Sequence, residues 1–423
     1  MYKLMKFLKS SILRNIGLYT ILNLVNSGIP FLLLPILTNK LNKEEYGTID
    51  LFNNIGFILM PLVGLNVGAS VIRFYYDREM DKKDLLSTSI NFTIISSLFF
   101  VVVSLSLSFF IEISVLYKTI FFCSLVYACF SQVSEILLSY FRAIESPKAF
   151  GIFRICKTAL DFGITVCIIL FVYVGWEARV YSAVFIAFLC AVFALLYLLK
   201  KSLYTFSINK TLLKEIVIYS SPLIIHSVSG YIMSFSDRFI ILHFYDLSYV
   251  GLYSVAYQIG MIMSFISNSF NQAWTPFLFK KLSTMDKNTI GFLIKANRIY
   301  FLFLVIVSLV LYFSLPFIYK VFIGKDFVID FYIVLIVIIS YCFNGFYKML
   351  VNYMFYFKKT GMLSLFTLTC SIVNVFVCWF LVPLYGLMGA ALATLISFIC
   401  QWVFVYVVYF KLLQKIRNGS IIN

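Results

Sequence analysis

From residue 15 to residue 412 the chain alternates between long apolar runs and short polar connections. The runs are unbroken rather than period-two, which reads as helices and not as strands of a barrel. A bilayer core about 30 Å thick takes about 20 apolar residues per helix. On that measure the pattern predicts spans at 15–38, 47–70, 85–110, 114–140, 150–174 and 180–199, then at 216–243, 250–277, 292–322, 327–357, 361–382 and 387–412. Between the two sets lies one polar, basic stretch, KKSLYTFSINKTLLKE. No connection is large enough to fold as a soluble domain, which argues against a catalytic domain, and no phosphate-loop glycine pattern or H-E-x-x-H motif stands out.

Composition agrees with a lipid solvent. Hydrophobic residues make up 62% of the 423, charged residues only 12%, and the mean hydropathy is +0.97. The net charge of +16 would raise nucleic acid as a partner in a soluble protein, but no compact basic face exists to hold it. Instead 26 of the 34 Lys and Arg fall in alternate segments, beginning with Lys3, Lys6, Lys9 and Arg14 and ending with Lys411, Lys415 and Arg417. The opposite set holds only Lys40, Lys43, Lys118, Arg179, Lys320 and Lys325, and Arg238 and Lys348 lie within spans. Positive residues stay on the cytoplasmic side, so the bias predicts both termini in the cytoplasm and an even number of spans. Residues 3–12 place Leu4, Phe7, Leu8 and Ile12 against three lysines, as an uncleaved interfacial helix would. The nine cysteines lie in or at the ends of apolar runs, with no C-x-x-C pair and no nearby His; they read as buried hydrophobes rather than metal ligands or disulfides.

The two sets of six spans echo each other. YGTIDLFNNIG (46–56) opens the second span and VGLYSVAYQIG (250–260) the eighth; YFRA (140–143) closes the fourth and YFKK (356–359) the tenth. A duplicated six-helix unit explains this, and because six is even the two copies share one orientation, related by a pseudo-two-fold axis along the membrane normal. The expected organisation is an all-α membrane protein with an N-terminal bundle over 1–200, a cytoplasmic linker over 201–215 and a C-terminal bundle over 216–423. A cleft between two such bundles is a transport architecture.

Polar residues within spans mark where such a cleft would be lined, because a charge at a helix centre costs roughly 2.5–3.5 kcal/mol on insertion scales. In the fifth span Arg154, Lys157 and Asp161 share one face; Asp161 is either an ion-coupling acid or half of an i, i+4 pair with Lys157. The seventh carries His226, Ser227, Gly230, Ser234, Asp237 and Arg238, and the neighbours Asp237 and Arg238 need not pair, since adjacent helical residues point about 100° apart. The tenth carries Tyr341, Asn344, Lys348 and Asn352, the first Asn15, Tyr19, Asn23 and Asn26, and the eighth Tyr257, Ser264, Asn268, Asn271 and Thr275. Such stripes either line a polar cavity or glue helices together. Glu135, two turns from Arg142, is a further acid open to an ion-coupling or a structural reading.

Several stretches together resemble the oligosaccharide-lipid (O-antigen, Wzx-type) flippases of the multidrug/oligosaccharidyl-lipid/polysaccharide exporter superfamily: EYGTIDLFNNI (45–55), VIRFYYD (71–77), FRAIESPKAFG (141–151), FSDRFIIL (235–242), AWTPFLFKK (273–281) and PLYGLMGAALAT (383–394). The resemblance implies two six-helix bundles around a central cavity in a bacterial cytoplasmic (inner) membrane. It implies no catalysis and no cofactor. The cargo would be an oligosaccharide linked to undecaprenyl pyrophosphate, such as a lipopolysaccharide repeat unit, moved to the outer leaflet by alternating access, with polysaccharide polymerase machinery as a further partner. Arg238 and Lys348 would then meet the pyrophosphate, with Arg73, Arg154 and Arg298 as further basic candidates. Asn26, Asn268, Asn271 and Asn344 would hold sugars, and Asp161, Asp237 and Glu135 would be ion-coupling candidates. An ion-coupled drug or metabolite exporter of the same fold is the alternative; a membrane polysaccharide polymerase is disfavoured by outer loops too short to carry its site.

Overall fold

A computed structural model describes residues 11–75, 81–284, 289–357 and 359–417. Among these residues there are fourteen α-helices and no strand. In chain order they are α1 (Ser11–Lys40), α2 (Lys43–Val63), α3 (Val67–Phe74), α4 (Lys82–Ser108), α5 (Val115–Ala143), α6 (Pro147–Phe171), α7 (Trp176–Lys200), α8 (Lys210–Phe244), α9 (Leu247–Thr284), α10 (Thr289–Phe313), α11 (Leu315–Phe322), α12 (Phe331–Tyr356), α13 (Thr360–Tyr385) and α14 (Leu387–Arg417). Twelve of them are long, one for each expected span, and ten are both long and apolar enough to cross a membrane. The other two long helices are α1 and α6, of 30 and 25 residues. The interfacial segment expected before residue 11 lies outside the described residues.

Local chemistry sets the helix ends. The Asn42 side chain accepts from the Glu45 amide while the Asn42 amide donates to Glu45 Oε2, both at 2.9 Å, a capping box at the start of α2. Asp81 and Asp330 cap α4 and α12 in the same sense, and Pro147 opens α6. Gly386, at φ +57°, makes the sharp turn between α13 and α14. Within the helices Thr38, Thr93 and Thr367 donate to carbonyls one turn back, which satisfies hydroxyls that lipid cannot. Large apolar side chains such as Phe99, Phe110, Phe171, Leu196 and Val310 stand on the outside, where only lipid can cover them.

Two expected spans are broken. The second is interrupted at residues 64–66 between α2 and α3, with Leu65 and Asn66 both at positive φ. The ninth is interrupted at Ser314, where Pro316 follows at the start of α11.

The described residues form two compact units, one within Gly28–Tyr231 and one within Met1–Ser27 and Ile232–Asn423. In the first, α5 is the central helix and packs on α2, α3, α4, α6 and α7. In the second, α12 is central and packs on α9, α10 and α14. Each central helix is the fourth long helix of its half, and each ends in one of the matched YFRA and YFKK stretches. The connection after α7 lies along α4: Asn91 Nδ2 donates to the Thr205 and Ser207 carbonyls at 2.9 Å, and the Tyr204 hydroxyl donates to Asn91 Oδ1 at 2.7 Å. Burial there pushes the Tyr204 phenol above its ordinary pKa. Leu212 and Ile216 then pack on Val67 and Leu85, and Ser220 Oγ lies 2.5 Å from Ser70 Oγ.

Candidate functional site

In the unit containing Ile232–Asn423 the polar stripes of α9 and α12 meet. Close approach of the helices permits it: a Cβ on Gly260 would fall 2.4 Å from Val337 Cγ1, and one on Gly345 would fall 2.5 Å from Leu304 Cδ1 and 3.4 Å from Ser267 Cβ. Lys348 Nζ donates to Ser264 Oγ at 3.0 Å. One turn on, Asn352 Nδ2 donates to Asn271 Oδ1 at 2.6 Å, and Thr275 Oγ1 donates to Asn352 Oδ1 at 3.0 Å. Asn268 Nδ2 reaches Ser264 Oγ at 3.4 Å from an exposed position. Asn344, one turn before Lys348, is 9% exposed and has no hydrogen-bond partner among the described residues. The seam therefore joins a half-buried lysine amine, whose partner is a serine hydroxyl, to a row of amides with donors and acceptors to spare.

Arg238 stands in different surroundings. It is 2% exposed. Its Nη1 donates to Asp237 Oδ1 at 2.7 Å and to the Ser234 carbonyl at 3.2 Å. The guanidinium carbon sits 3.8 Å from the centre of the Tyr257 ring and 5.1 Å from that of Tyr253, and the Tyr257 hydroxyl donates to the same Ser234 carbonyl at 3.0 Å. Asp237 and Arg238 thus do pair, although they are neighbours: the long arginine side chain folds back over the ring face. The sequence alone did not require this.

In the unit within Gly28–Tyr231, Asp161 pairs with Arg179 at 2.5 Å, the two side chains being 21% and 16% exposed. The i, i+4 partner Lys157 instead lies over the Tyr127 ring at 5.9 Å. Arg179, counted with an outer connection, is on the first turn of α7, so its long side chain can reach the neighbouring helix. Thr165 and Ser182 close the same contact, with hydroxyl oxygens 2.6 Å apart. Glu135 pairs with Arg142, whose Nη2 also donates to Ser139 Oγ at 3.2 Å. Arg154 is half-buried, 5.8 Å from the Phe150 ring centre. Arg73 and Arg298 are exposed, and Asn26 is half-buried. The side chains of Asn15, Tyr19, Asn23 and His226 lie outside the described residues.

Two further polar residues stand within the bundle, unanticipated from the sequence: Asp50, which accepts from Asn54 Nδ2 at 2.9 Å, and Gln132, which is buried on α5. Both lie on helical faces with other polar residues, a spacing signal that was available. Among the described residues no group of three or more His, Cys, Asp and Glu could hold a metal ion.

Four matches to known proteins bear on the chain. Residues 12–281 match a family described as polysaccharide biosynthesis protein. An Lsg-locus protein of Haemophilus influenzae is 24% identical over 376 residues, covering 88% of this chain and 89% of the relative. Among solved structures, the lipid II flippase MurJ in an inward closed conformation superposes with a TM-score of 0.73 at 18% identity, over 97% of this chain and 91% of that one. An inward-facing multidrug resistance MATE family transporter gives 0.67 at 14% identity, over 95% and 96%. At these identities the structural likeness speaks for the fold, which those transporters share.

Proposed function

The chain belongs to the polysaccharide biosynthesis protein family, and from that premise we propose that it is a flippase. It carries an undecaprenyl-pyrophosphate-linked oligosaccharide from the cytoplasmic to the outer leaflet of a bacterial cytoplasmic membrane by alternating access, with both chain ends in the cytoplasm.

The observation that carries this reading is Lys348. A cation inside a membrane bundle is costly, and the partner it has is the Ser264 hydroxyl, which cannot neutralise it. An anion would. The pyrophosphate of the cargo supplies one, and Lys acts on it as a mobile point charge. The amides of Asn344, Asn271 and Asn268, in the same seam, suit the sugar hydroxyls next to the pyrophosphate. Arg238 has a carboxylate and an aromatic face already. Its part is to hold α8 against α9, so that the seam on α9 keeps its register. Arg73 and Arg298, exposed on segments assigned to the cytoplasmic side, draw the anionic headgroup towards the protein. Outward movement of negative charge is favoured by an inside-negative potential, by about 2.3 kcal/mol per charge per 100 mV. Nothing in this cycle breaks or makes a covalent bond.

Deletion of the chain is expected to strand lipid-linked repeat units on the cytoplasmic face. They would resist periodate in intact spheroplasts and react in inverted vesicles. Repeat units reacting in intact spheroplasts as they do in the parent strain would overturn the proposal.

A further inference from the structure

A second polar site lies in the unit within Gly28–Tyr231, at the break in the second span. Leu65 and Asn66 take left-handed backbone angles, φ 45° and 51°, which is rare for a residue as bulky as leucine. Tight contact across the break accompanies this conformation. The Gln132 side chain lies against Gly64, where a Cβ would fall 2.3 Å from its Oε1. On the next turn a Cβ on Gly68 would fall 2.7 Å from Ser139 Oγ. Two glycines thus let α5 lay polar side chains on the backbone of the broken helix.

Beside this contact is a cavity of about 370 Å³, within the range of about 300–1,000 Å³ usual for small-molecule sites. Gln132, Asn66, Glu135, Arg142 and Tyr231 reach into it, with Pro61 among the apolar residues that complete it. Gln132 is 8% exposed and has no hydrogen-bond partner among the described residues. A buried amide ordinarily has partners, so an amide that faces a cavity with its capacity unspent points to a ligand. The Asn66 amide is held by Ser227 at 3.0 Å, and the Tyr231 ring is stacked on Phe57 at 6.0 Å and 5°, so both are fixed in place.

The chemistry of the lining selects the ligand. Glu135 and Arg142 pair with each other, which leaves no net charge to attract a phosphate or an organic cation. Amides and hydroxyls that both donate and accept match a ligand whose groups do the same, while Pro61, Met60 and Ile72 offer an apolar wall. Vicinal hydroxyls on one edge and C–H bonds on the faces are the features of a pyranose ring. We propose that this cavity is a sugar subsite, holding one ring of the oligosaccharide at the end of the bundle that carries Arg142 and Lys148. The inference rests on the flippase reading and adds to it a place where the sugar is recognised separately from the pyrophosphate.

The test uses the purified full-length protein in nanodiscs and three probes: the lipid-linked repeat unit extracted from the host, sugar-free undecaprenyl pyrophosphate, and the repeat oligosaccharide released from its lipid by mild acid. Gln132→Met keeps the length of the side chain and removes the amide. It is expected to weaken binding of the lipid-linked repeat unit about tenfold, the effect of losing a buried hydrogen-bond partner, and to leave binding of the sugar-free lipid and the melting midpoint as in the parent. The released oligosaccharide should compete with the lipid-linked unit in the parent and fail to do so in Gln132→Met. Tyr231→Phe, which keeps the stack on Phe57, should weaken the same probe alone. Unchanged binding of the lipid-linked unit by both variants, or an equal loss for both lipids, would overturn the subsite while leaving the flippase standing. A parent protein that binds neither lipid would overturn both.

Discussion

Replacing Lys348 with glutamine is expected to reduce surface polysaccharide about tenfold or more while the protein stays in the membrane at its normal level. Lys348 lies in the seam between α9 and α12. Glutamine can still donate to Ser264, so the hydrogen bond that Lys348 makes at 3.0 Å has a substitute and the helices keep their contact. What is lost is the charge. A hydrogen bond to a charged group contributes about 1.5–3 kcal/mol, and a tenfold change corresponds to about 1.4 kcal/mol, so a one-step loss at the pyrophosphate is large enough to measure. Lys348→Arg keeps the charge and should retain part of the transport, limited by the bulk of the guanidinium between Ser264 and Asn344. Quantifying polysaccharide and membrane protein on the same cells checks the expectation. Parental polysaccharide in Lys348→Gln would show that the lysine serves only as a stitch between helices.

Arg238→Ala should act through the fold instead. The substitution leaves Asp237, itself 2% exposed, without its counter-charge, and breaking one side of a buried pair costs about 3–5 kcal/mol. The face of Tyr257, 3.8 Å from the guanidinium, loses a cation as well, worth about 2 kcal/mol when desolvated. Total stability is about 5–15 kcal/mol for a folded protein, so the level of Arg238→Ala in the membrane should collapse. Asp237→Asn combined with Arg238→Gln removes both charges and should recover most of the protein. With Lys348 as the proposed anion contact, the recovered double variant should still transport. Normal protein level with abolished polysaccharide in Arg238→Ala would instead put the guanidinium in the path of the cargo.

These two bases differ in a way that spacing along the helix did not show. Both are cations well inside spans of the second half, and the flippase resemblance implied contact with the pyrophosphate for both. The difference lies in partners set by the tertiary packing: a carboxylate and an aromatic face for Arg238, a serine hydroxyl for Lys348. The pair of Asp161 with Arg179 was hidden for a related reason. A helical reading offers Lys157 at i, i+4, whereas the partner comes from the next helix, across the turn at 172–175.

Much of the architecture was legible because a membrane enforces it. Twelve apolar runs anticipated the long helices, and the flippase resemblance is borne out by the match to the polysaccharide biosynthesis family and by the shared fold. The breaks were less visible. Residues 47–70 read as one continuous run because Asn66 is a single amide in the otherwise apolar stretch 57–69; Pro61 and Gly64 were the signals, and the tight contact with Gln132 that accompanies the bend is non-local. The polar stripes of the eighth and tenth spans could be seen separately from their 3–4 spacing. That they face each other, with Asn352 bonded to Asn271 and Lys348 to Ser264, depends on glycines at 260 and 345 whose purpose shows only once the helices are packed.

Movement of the cargo between leaflets is the central claim, and proteoliposomes holding the purified chain and its lipid-linked repeat unit test it most directly. A glycosidase added outside cleaves only the sugars displayed on the outer leaflet. Liposomes without protein should keep a resistant inner-leaflet fraction. Liposomes with the parent chain, under an imposed membrane potential, should lose that fraction, and those with Lys348→Gln should lose it about tenfold more slowly. A resistant fraction that persists with intact, inserted parent protein would contradict the assignment of this chain as a flippase.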